Sequence, residues 1–121
     1  MQRFTQIKSW QKGHDLVLRV YRLSVGFPVA EKFGLTSQLR RSALSVPTNI
    51  AEGSKRKSRQ EYSRFLNISE ASLAETEYLT MVARDLSYLT NDQAKTILSE
   101  ITELARMLHS LRFRVDSGQD Y

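Results

Sequence analysis

The clearest pattern in the chain is the stretch NDQAKTILSEITELARMLHSLR, residues 91–112. Its apolar side chains recur every three or four residues, the spacing that gathers them on one face of an α-helix. These side chains are Ala94, Ile97, Leu98, Ile101, Leu104, Ala105, Leu108 and Leu111. The preceding Thr90-Asn91-Asp92-Gln93 is a capping box, so we expect a helix over 91–114. The tail, 115–121, has no periodicity and is expected to fray.

Three further helical patterns precede this one, over residues 6–26, 36–54 and 58–88. Ser58 and Glu61 form a capping box at the start of the third. Pro47 lies inside the second, and because the apolar stripe keeps its phase on both sides, we expect a kink there. Four amphipathic helices with short connections predict one all-α domain over 1–121, an antiparallel up-and-down four-helix bundle.

Composition limits the chemistry of this 121-residue chain. The absence of cysteine excludes disulfides, thiolate metal sites and a cysteine nucleophile. No apolar run approaches the roughly 18 residues that span a bilayer, and the first residues lack the apolar stretch of a secretory signal. We therefore expect a cytoplasmic protein with no membrane partner.

The positive charge is concentrated in the middle of the sequence. Residues 40–64 contain seven basic and two acidic side chains, whereas residues 65–121 contain five and nine. Basic side chains at a helix N-terminus oppose the helix dipole, so a cluster before the third helix does not serve helix stability. Phosphate binding is one interpretation, and a solvated charge run is the other. The candidate phosphate contacts are Arg40, Arg41, Lys55, Arg56, Lys57, Arg59 and Arg64.

Two aromatic side chains follow the cluster closely. Tyr62 and Phe65 could stack on a nucleic-acid base, but both also fit the apolar stripe of the third helix. We favour the core interpretation.

The second helix carries two further patterns. A polar stripe consists of Gln38, Arg41, Ser45, Asn49 and Glu52. We expect a hydrogen-bonded network partly buried between helices or subunits, with Arg41 and Glu52 in ionic contacts at its ends, and a ligand site is the alternative. Apolar side chains also occur where a monomeric bundle would face solvent, and they predict a subunit interface. They are Leu44, Pro47 and Ala51.

Catalytic patterns are missing from the sequence. His14 and His109, the only histidines, lie in no Glu-x-x-His or His-Glu-x-x-His context, and no Gly-x-Ser-x-Gly segment occurs. The acidic residues of the third helix, such as Glu70 and Glu75, lack the Glu-x-x-His partners of a di-metal bundle. We therefore expect no catalytic residue, no metal, no cofactor and no enzymatic activity.

The segment EKFGLTSQLRRSALSVPTNIAEG, residues 31–53, resembles the four-helix-bundle proteins encoded by intervening sequences in bacterial large-subunit (23S) ribosomal RNA genes. The similarity continues upstream through Trp10, Leu16, Tyr21 and Phe27-Pro28, and downstream through Tyr62, Phe65, Leu66, Ala71, Ser72, Leu73 and Glu75. The resemblance implies an up-and-down bundle that assembles into a ring-like homopentamer. A similar bundle is an accessory protein to the reverse transcriptase of diversity-generating retroelements.

Two functions follow as hypotheses. The first is a homo-oligomeric bundle that binds RNA or DNA backbone through its basic face, without sequence readout. The second is a structural or docking scaffold whose partner is another protein, with the acidic surface of the third and fourth helices as the docking face.

Overall fold

The computed structural model describes residues 3–119, which form four α-helices. They are α1 (Lys8–Ser24), α2 (Leu35–Ser54), α3 (Arg59–Asp85) and α4 (Asn91–Asp116), with short 3₁₀ turns at Phe4–Gln6 and Val29–Glu31. This part of the chain contains no strand. The prediction of an all-α, four-helix protein is confirmed.

Contacts between neighbouring helices run in opposite directions along the sequence. Ion pairs join Lys12 to Glu103 at 3.5 Å and Arg19 to Glu100 at 2.7 Å, so rising numbers in α1 meet falling numbers in α4. The α2–α3 contacts, given below, show the same order, and so do the α1–α2 contacts, in which Gly13 meets Pro47 and Ser24 meets Arg40. One end of the molecule therefore holds the starts of α1 and α3 and the ends of α2 and α4. We call it the basic end, defined by residues 55–59 and Arg64.

The core is built from the stripes that the sequence predicts. Most apolar residues of the α4 stripe are buried, whereas Leu98 is half-buried and Ala105 is exposed. They pack against fully buried side chains from the other helices, which include Leu16, Leu39, Ile50 and Leu66. Burying each such side chain contributes about 1.5–3 kcal/mol, which makes these stripes the main source of stability.

Small hydroxyl side chains bind α2 to α3. The Ser69 hydroxyl donates to the carbonyl of Val46 at 2.8 Å, and Thr76 Oγ1 lies 2.9 Å from Ser42 Oγ. Because buried polar groups are costly without partners, these bonds let hydroxyls replace larger apolar residues and bring the two helices close. α2 is continuous through Pro47, and the kink at that residue stays a prediction.

Both capping segments begin a helix. The Ser58 hydroxyl accepts a hydrogen bond from the amide of Glu61 at 3.1 Å. At α4, Thr90 and Gln93 each accept from the other's backbone amide, which completes the capping box.

The third and fourth helices end where left-handed residues stop them. Ser87 has φ of 65°, and the amide of Tyr88 donates to the carbonyl of Ala83 at 2.8 Å, the bond pattern of a Schellman motif. α3 therefore ends at Asp85, three residues earlier than predicted.

α4 extends beyond its predicted end at residue 114. Val115 is helical and buried, and Gly118, at φ 77°, forms the closing turn. Residues 115 and 116, which the sequence places in the tail, therefore belong to α4, because Val115 is buried in the core; the fraying of the tail stays a prediction. Residues 120 and 121 lie outside the described part of the chain.

Candidate nucleic-acid interface

The α2–α3 connection at the basic end is a tight turn. A Cβ on Gly53 would lie 2.7 Å from Phe65 Cβ and 3.0 Å from a Tyr62 ring carbon, so only glycine allows α3 to approach this closely. The chain then turns through Lys55–Ser58, and the next helix begins at Arg59. This close approach holds the cations of both helices together.

Two guanidinium groups lie over the ring of Phe65. The central carbon of Arg56 is 4.7 Å from the ring centroid, and that of Arg64 is 5.5 Å away. Both contacts are in the range of a cation–π interaction, which orients a guanidinium without occupying its N–H donors. Two like charges beside one ring repel each other, and a bound anion would relieve that repulsion.

Most cations of this cluster have no carboxylate partner among the described residues. Within residues 3–119, Lys55, Arg56, Lys57 and Arg64 make no ion pair, although all four are exposed. The remaining member, Arg59, donates from Nη1 to the Gln119 carbonyl at 3.4 Å. The basic end therefore presents five cations, of which four have no acidic partner within residues 3–119.

The other two candidate cations lie elsewhere. Arg41 is 14 residues from Lys55 on the same helix, a separation of about 20 Å along the axis. The Arg40 guanidinium donates to Ser24 Oγ at 2.8 Å and to the Tyr21 carbonyl at 3.3 Å. It also lies 4.6 Å from the Tyr21 ring centroid. Arg40 thus joins α2 to α1, and the seven predicted contacts do not form one patch.

Comparison with known proteins agrees with this fold. The family model of the 23S rRNA-intervening sequence protein matches residues 5–110. The chain belongs to the 23S rRNA-intervening sequence protein family. A search of proteins of curated function gave no match.

A solved structure is similar to the present chain. It is a protein of unknown function from the S23 ribosomal protein family of Bacteroides thetaiotaomicron. The two chains are 27% identical, the match covers 86% of this chain and 97% of the other, and the TM-score is 0.77. The resemblance to this family that residues 31–53 indicate is therefore confirmed.

Within residues 3–119, only two members of the polar stripe of this intervening-sequence protein, Ser45 and Asn49, make side-chain hydrogen bonds. Ser45 Oγ lies 2.7 Å from Ser72 Oγ of α3, and the Asn49 amide donates to Ser45 Oγ at 2.9 Å and to the Ser45 carbonyl at 2.8 Å. The other three predicted members are exposed, and their side chains make no hydrogen bond or ion pair with residues 3–119. They are Gln38, Arg41 and Glu52. The network is therefore an α2–α3 contact, shorter than predicted.

The predicted interface residues differ in exposure. Leu44 is 41% exposed and Ala51 is half-buried, so both reach the surface. Pro47 is buried, because it packs against α1 where Gly13 leaves room, with Pro47 Cβ 3.4 Å from the position of a Cβ on that glycine. The expectation that Pro47 faces solvent is wrong.

The sequence interpretation missed an exposed aromatic residue beside Leu44. Phe33 is 90% exposed, and with Lys32, Arg41 and Leu44 it lines a groove of about 410 Å³. The signal available in the sequence was an aromatic residue directly before Gly34, in a connection that has no helical phase.

Tyr62 and Phe65 are buried, which agrees with the core interpretation. The histidines contribute no site: His14 stacks on Trp10, with ring centroids 5.1 Å apart, and His109 is exposed. In residues 3–119 no three His, Asp or Glu side chains are grouped closely enough to hold a metal ion. None of the four helices is both long and apolar enough to cross a membrane.

Proposed function

We propose that this family member is a non-enzymatic, homo-oligomeric bundle of the cytoplasm that binds the phosphate backbone of RNA or DNA at its basic end. The supporting observation is the group of exposed cations around one tight turn, of which four lack a carboxylate partner in the part of the chain that the structure describes. Phosphate contacts dominate the affinity of most nucleic-acid complexes and carry no sequence information. The protein binds by charge and shape, with no base readout.

The chemistry of the cluster suits a phosphodiester backbone. Arg56 and Arg64 keep their N–H forks available while the Phe65 ring orients them, and a guanidinium binds two phosphate oxygens at once. Lys55 and Lys57, on flexible stems, add charge over a wider surface. The site therefore accepts phosphates at variable spacing.

Self-association rests on exposed apolar side chains near the start of α2. Leu44 and Phe33 line one groove, and a second copy that covered them would remove apolar surface from water. The five-fold number comes from the family resemblance alone. In a cyclic assembly each copy contributes its basic end, so weak contacts add through avidity.

The test measures salt-dependent binding. Fluorescence anisotropy follows an RNA hairpin, single-stranded RNA and duplex DNA across a salt series with the wild type and a Lys55→Ala/Arg56→Ala/Lys57→Ala variant. The matched control, Arg22→Ala/Arg84→Ala/Lys95→Ala, removes the same charge from the opposite end. We expect the slope of log affinity against log salt to shrink by up to about 3 in the first variant and to stay near wild type in the control.

An equal loss in both variants would show that only net charge matters and would remove the basic end from the account. Light scattering in the same buffers tests the assembly. Leu44→Asp replaces an apolar side chain of this groove with a carboxylate and is expected to shift the mass toward monomer. If light scattering shows that the wild type is monomeric, the proposed self-association is contradicted.

A protein-docking scaffold is the second candidate, and a separate surface favours it. α3 exposes Ile68, Tyr78 and Met81 by 40%, 64% and 37%, with Glu75 and Glu77 beside them. Exposed apolar side chains on a helix that also exposes acidic ones suit a partner with apolar and basic side chains. Protein purified at low salt would then carry a stoichiometric polypeptide, whereas the first function predicts nuclease-sensitive absorbance.

A further inference from the structure

A second basic feature lies at the basic end, between the start of α1 and the last turns of α4. It is a cleft of about 440 Å³ that shares no residue with the α2–α3 turn. Lys8, Arg106 and Arg114 line it, and no acidic residue of 3–119 does. Lys8 and Arg106 make no ion pair or side-chain hydrogen bond with any residue of 3–119.

The first turn of α1 faces this cleft without a cap. Ile7 occupies the N-cap position and has no side-chain oxygen to accept from the amides that follow. The first helical bond runs from the Gln11 amide to the Ile7 carbonyl at 3.0 Å, which leaves the amides of residues 8–10 without helical partners. No acidic side chain lies in this turn to balance the positive end of the dipole.

A buried hydroxyl in the same turn gives an independent observation. Ser9 lines the cleft and is 4% exposed, and its Oγ has no hydrogen-bond partner in the described structure. A buried polar group without a partner is uncommon, because its desolvation is not compensated. An acceptor that enters the cleft would satisfy this hydroxyl and the free amides together.

The wall of the cleft that α4 forms also carries hydrogen-bond donors. Arg114 Nη1 donates to Ser110 Oγ at 2.9 Å, so the Ser110 hydroxyl keeps its own proton for a ligand. Between the cations, Ile7, Met107 and Leu111 form an apolar wall. A ligand that has both an oxyanion and an organic group matches this lining.

We infer that the cleft binds a phosphate monoester, with the phosphate at the first turn of α1 and its organic substituent along the apolar wall. Helix amides, two hydroxyls and three cations suit a dianion better than a singly charged backbone phosphodiester. The inference goes beyond the proposed function, because it needs neither the Lys55–Arg59 cluster nor a long strand. The phosphate has two sources, a free nucleotide or the phosphorylated end of a strand.

The fluorescence of Trp10, the only tryptophan of the chain, supplies the signal, because Trp10 is the third residue of α1. The full chain is titrated with adenosine 5′-monophosphate, inorganic phosphate and adenosine at constant ionic strength. We expect saturable changes with the first two and none with adenosine. Arg106→Ala/Arg114→Ala should weaken binding at least about tenfold, and Ser9→Ala less, because each removes donors to the same phosphate.

Arg22→Ala/Lys95→Ala removes two charges far from the cleft and should bind like the wild type. Competition by single strands with a 5′-phosphate or a 5′-hydroxyl then identifies the source. Preference for the phosphorylated strand assigns a strand end, and competition by neither strand assigns a free nucleotide. Equal competition by both strands would mean that the cleft takes backbone phosphodiesters and would overturn the inference. Identical responses to the nucleotide and to adenosine, or an equal loss in the control variant, would overturn the inference. The Lys55→Ala/Arg56→Ala/Lys57→Ala variant should keep nucleotide binding even if it loses nucleic acid.

Discussion

Arg40 and Arg56 make the same aromatic contact at opposite ends of the molecule, and everything else about them differs. Their guanidinium carbons lie 4.6 Å from Tyr21 and 4.7 Å from Phe65. Arg40 also donates two hydrogen bonds to α1, whereas the Arg56 side chain donates none within residues 3–119. The first guanidinium is committed to the fold, and the second keeps its donors for a ligand.

Structural and functional cations differ in whether the protein itself uses their hydrogen-bond donors. Sequence position places both arginines in one basic block, because residues 40–64 contain them with five other cations. Only the three-dimensional arrangement shows which donors the protein itself uses. The hydrogen bonds that each guanidinium donates to the protein therefore separate the two roles, whereas the density of basic residues in the sequence does not.

Removing the glycine under the basic end would have the largest effect. Gly53→Ala places a Cβ 2.7 Å from Phe65 Cβ, so the aromatic platform of Arg56 must move. We expect a loss of about 1–3 kcal/mol in the free energy of unfolding, measured by urea denaturation, together with weaker nucleic-acid binding. Gly26→Ala is the matched control, since its Cβ would meet only the Leu23 carbonyl at 3.8 Å. Similar losses in both variants would contradict the close approach.

A smaller effect is expected at the opposite end. The Tyr88 hydroxyl donates to Glu31 Oε2 at 3.0 Å, and the other oxygen of that carboxylate accepts from the Leu35 amide. The hydrogen bond to Glu31, then burial and the charge of Glu31, raise the pKa of Tyr88. A raised pKa means that this bond stabilises the fold below the ordinary tyrosine pKa and is lost as pH rises through the folded value.

Tyr88→Phe therefore removes a tyrosine titration step that lies above the ordinary tyrosine pKa, and it leaves nucleic-acid binding unchanged. Difference titration against the wild type near 295 nm measures that step. A lost step at the ordinary tyrosine pKa would show that the bond to Glu31 does not form in solution.

The helices could be predicted from the sequence because burial imposes a regular period. The α4 stripe and the Thr90–Gln93 box are local patterns, and the structure repeats them. Pro47 shows the limit, since its burial depends on Gly13 of another helix, 34 positions earlier. The tail shows it too, because Val115 joins the core through contacts that no local period reveals.

The basic residues of the candidate site could be predicted from the sequence, but which of them lie close together could not. A run of basic residues at 55–59 marks the α2–α3 turn directly, and Arg64 follows one helical turn later. The hydrogen bonds that occupy Arg40 come from Ser24 and Tyr21, on a different helix. The cleft beside Ser9 brings α1 and α4 together from opposite ends of the chain, so no sequence pattern could indicate it.

The most direct test of the account compares Arg56→Ala with Arg40→Ala, one guanidinium each, in nucleic-acid affinity and in stability. We expect Arg56→Ala to weaken binding about three- to tenfold and to leave the free energy of unfolding within about 0.5 kcal/mol of wild type. Arg40→Ala should reverse this pattern, with a loss of about 1–3 kcal/mol in stability and unchanged affinity. If Arg40→Ala weakens binding as much as Arg56→Ala, the distinction between the two arginines is contradicted.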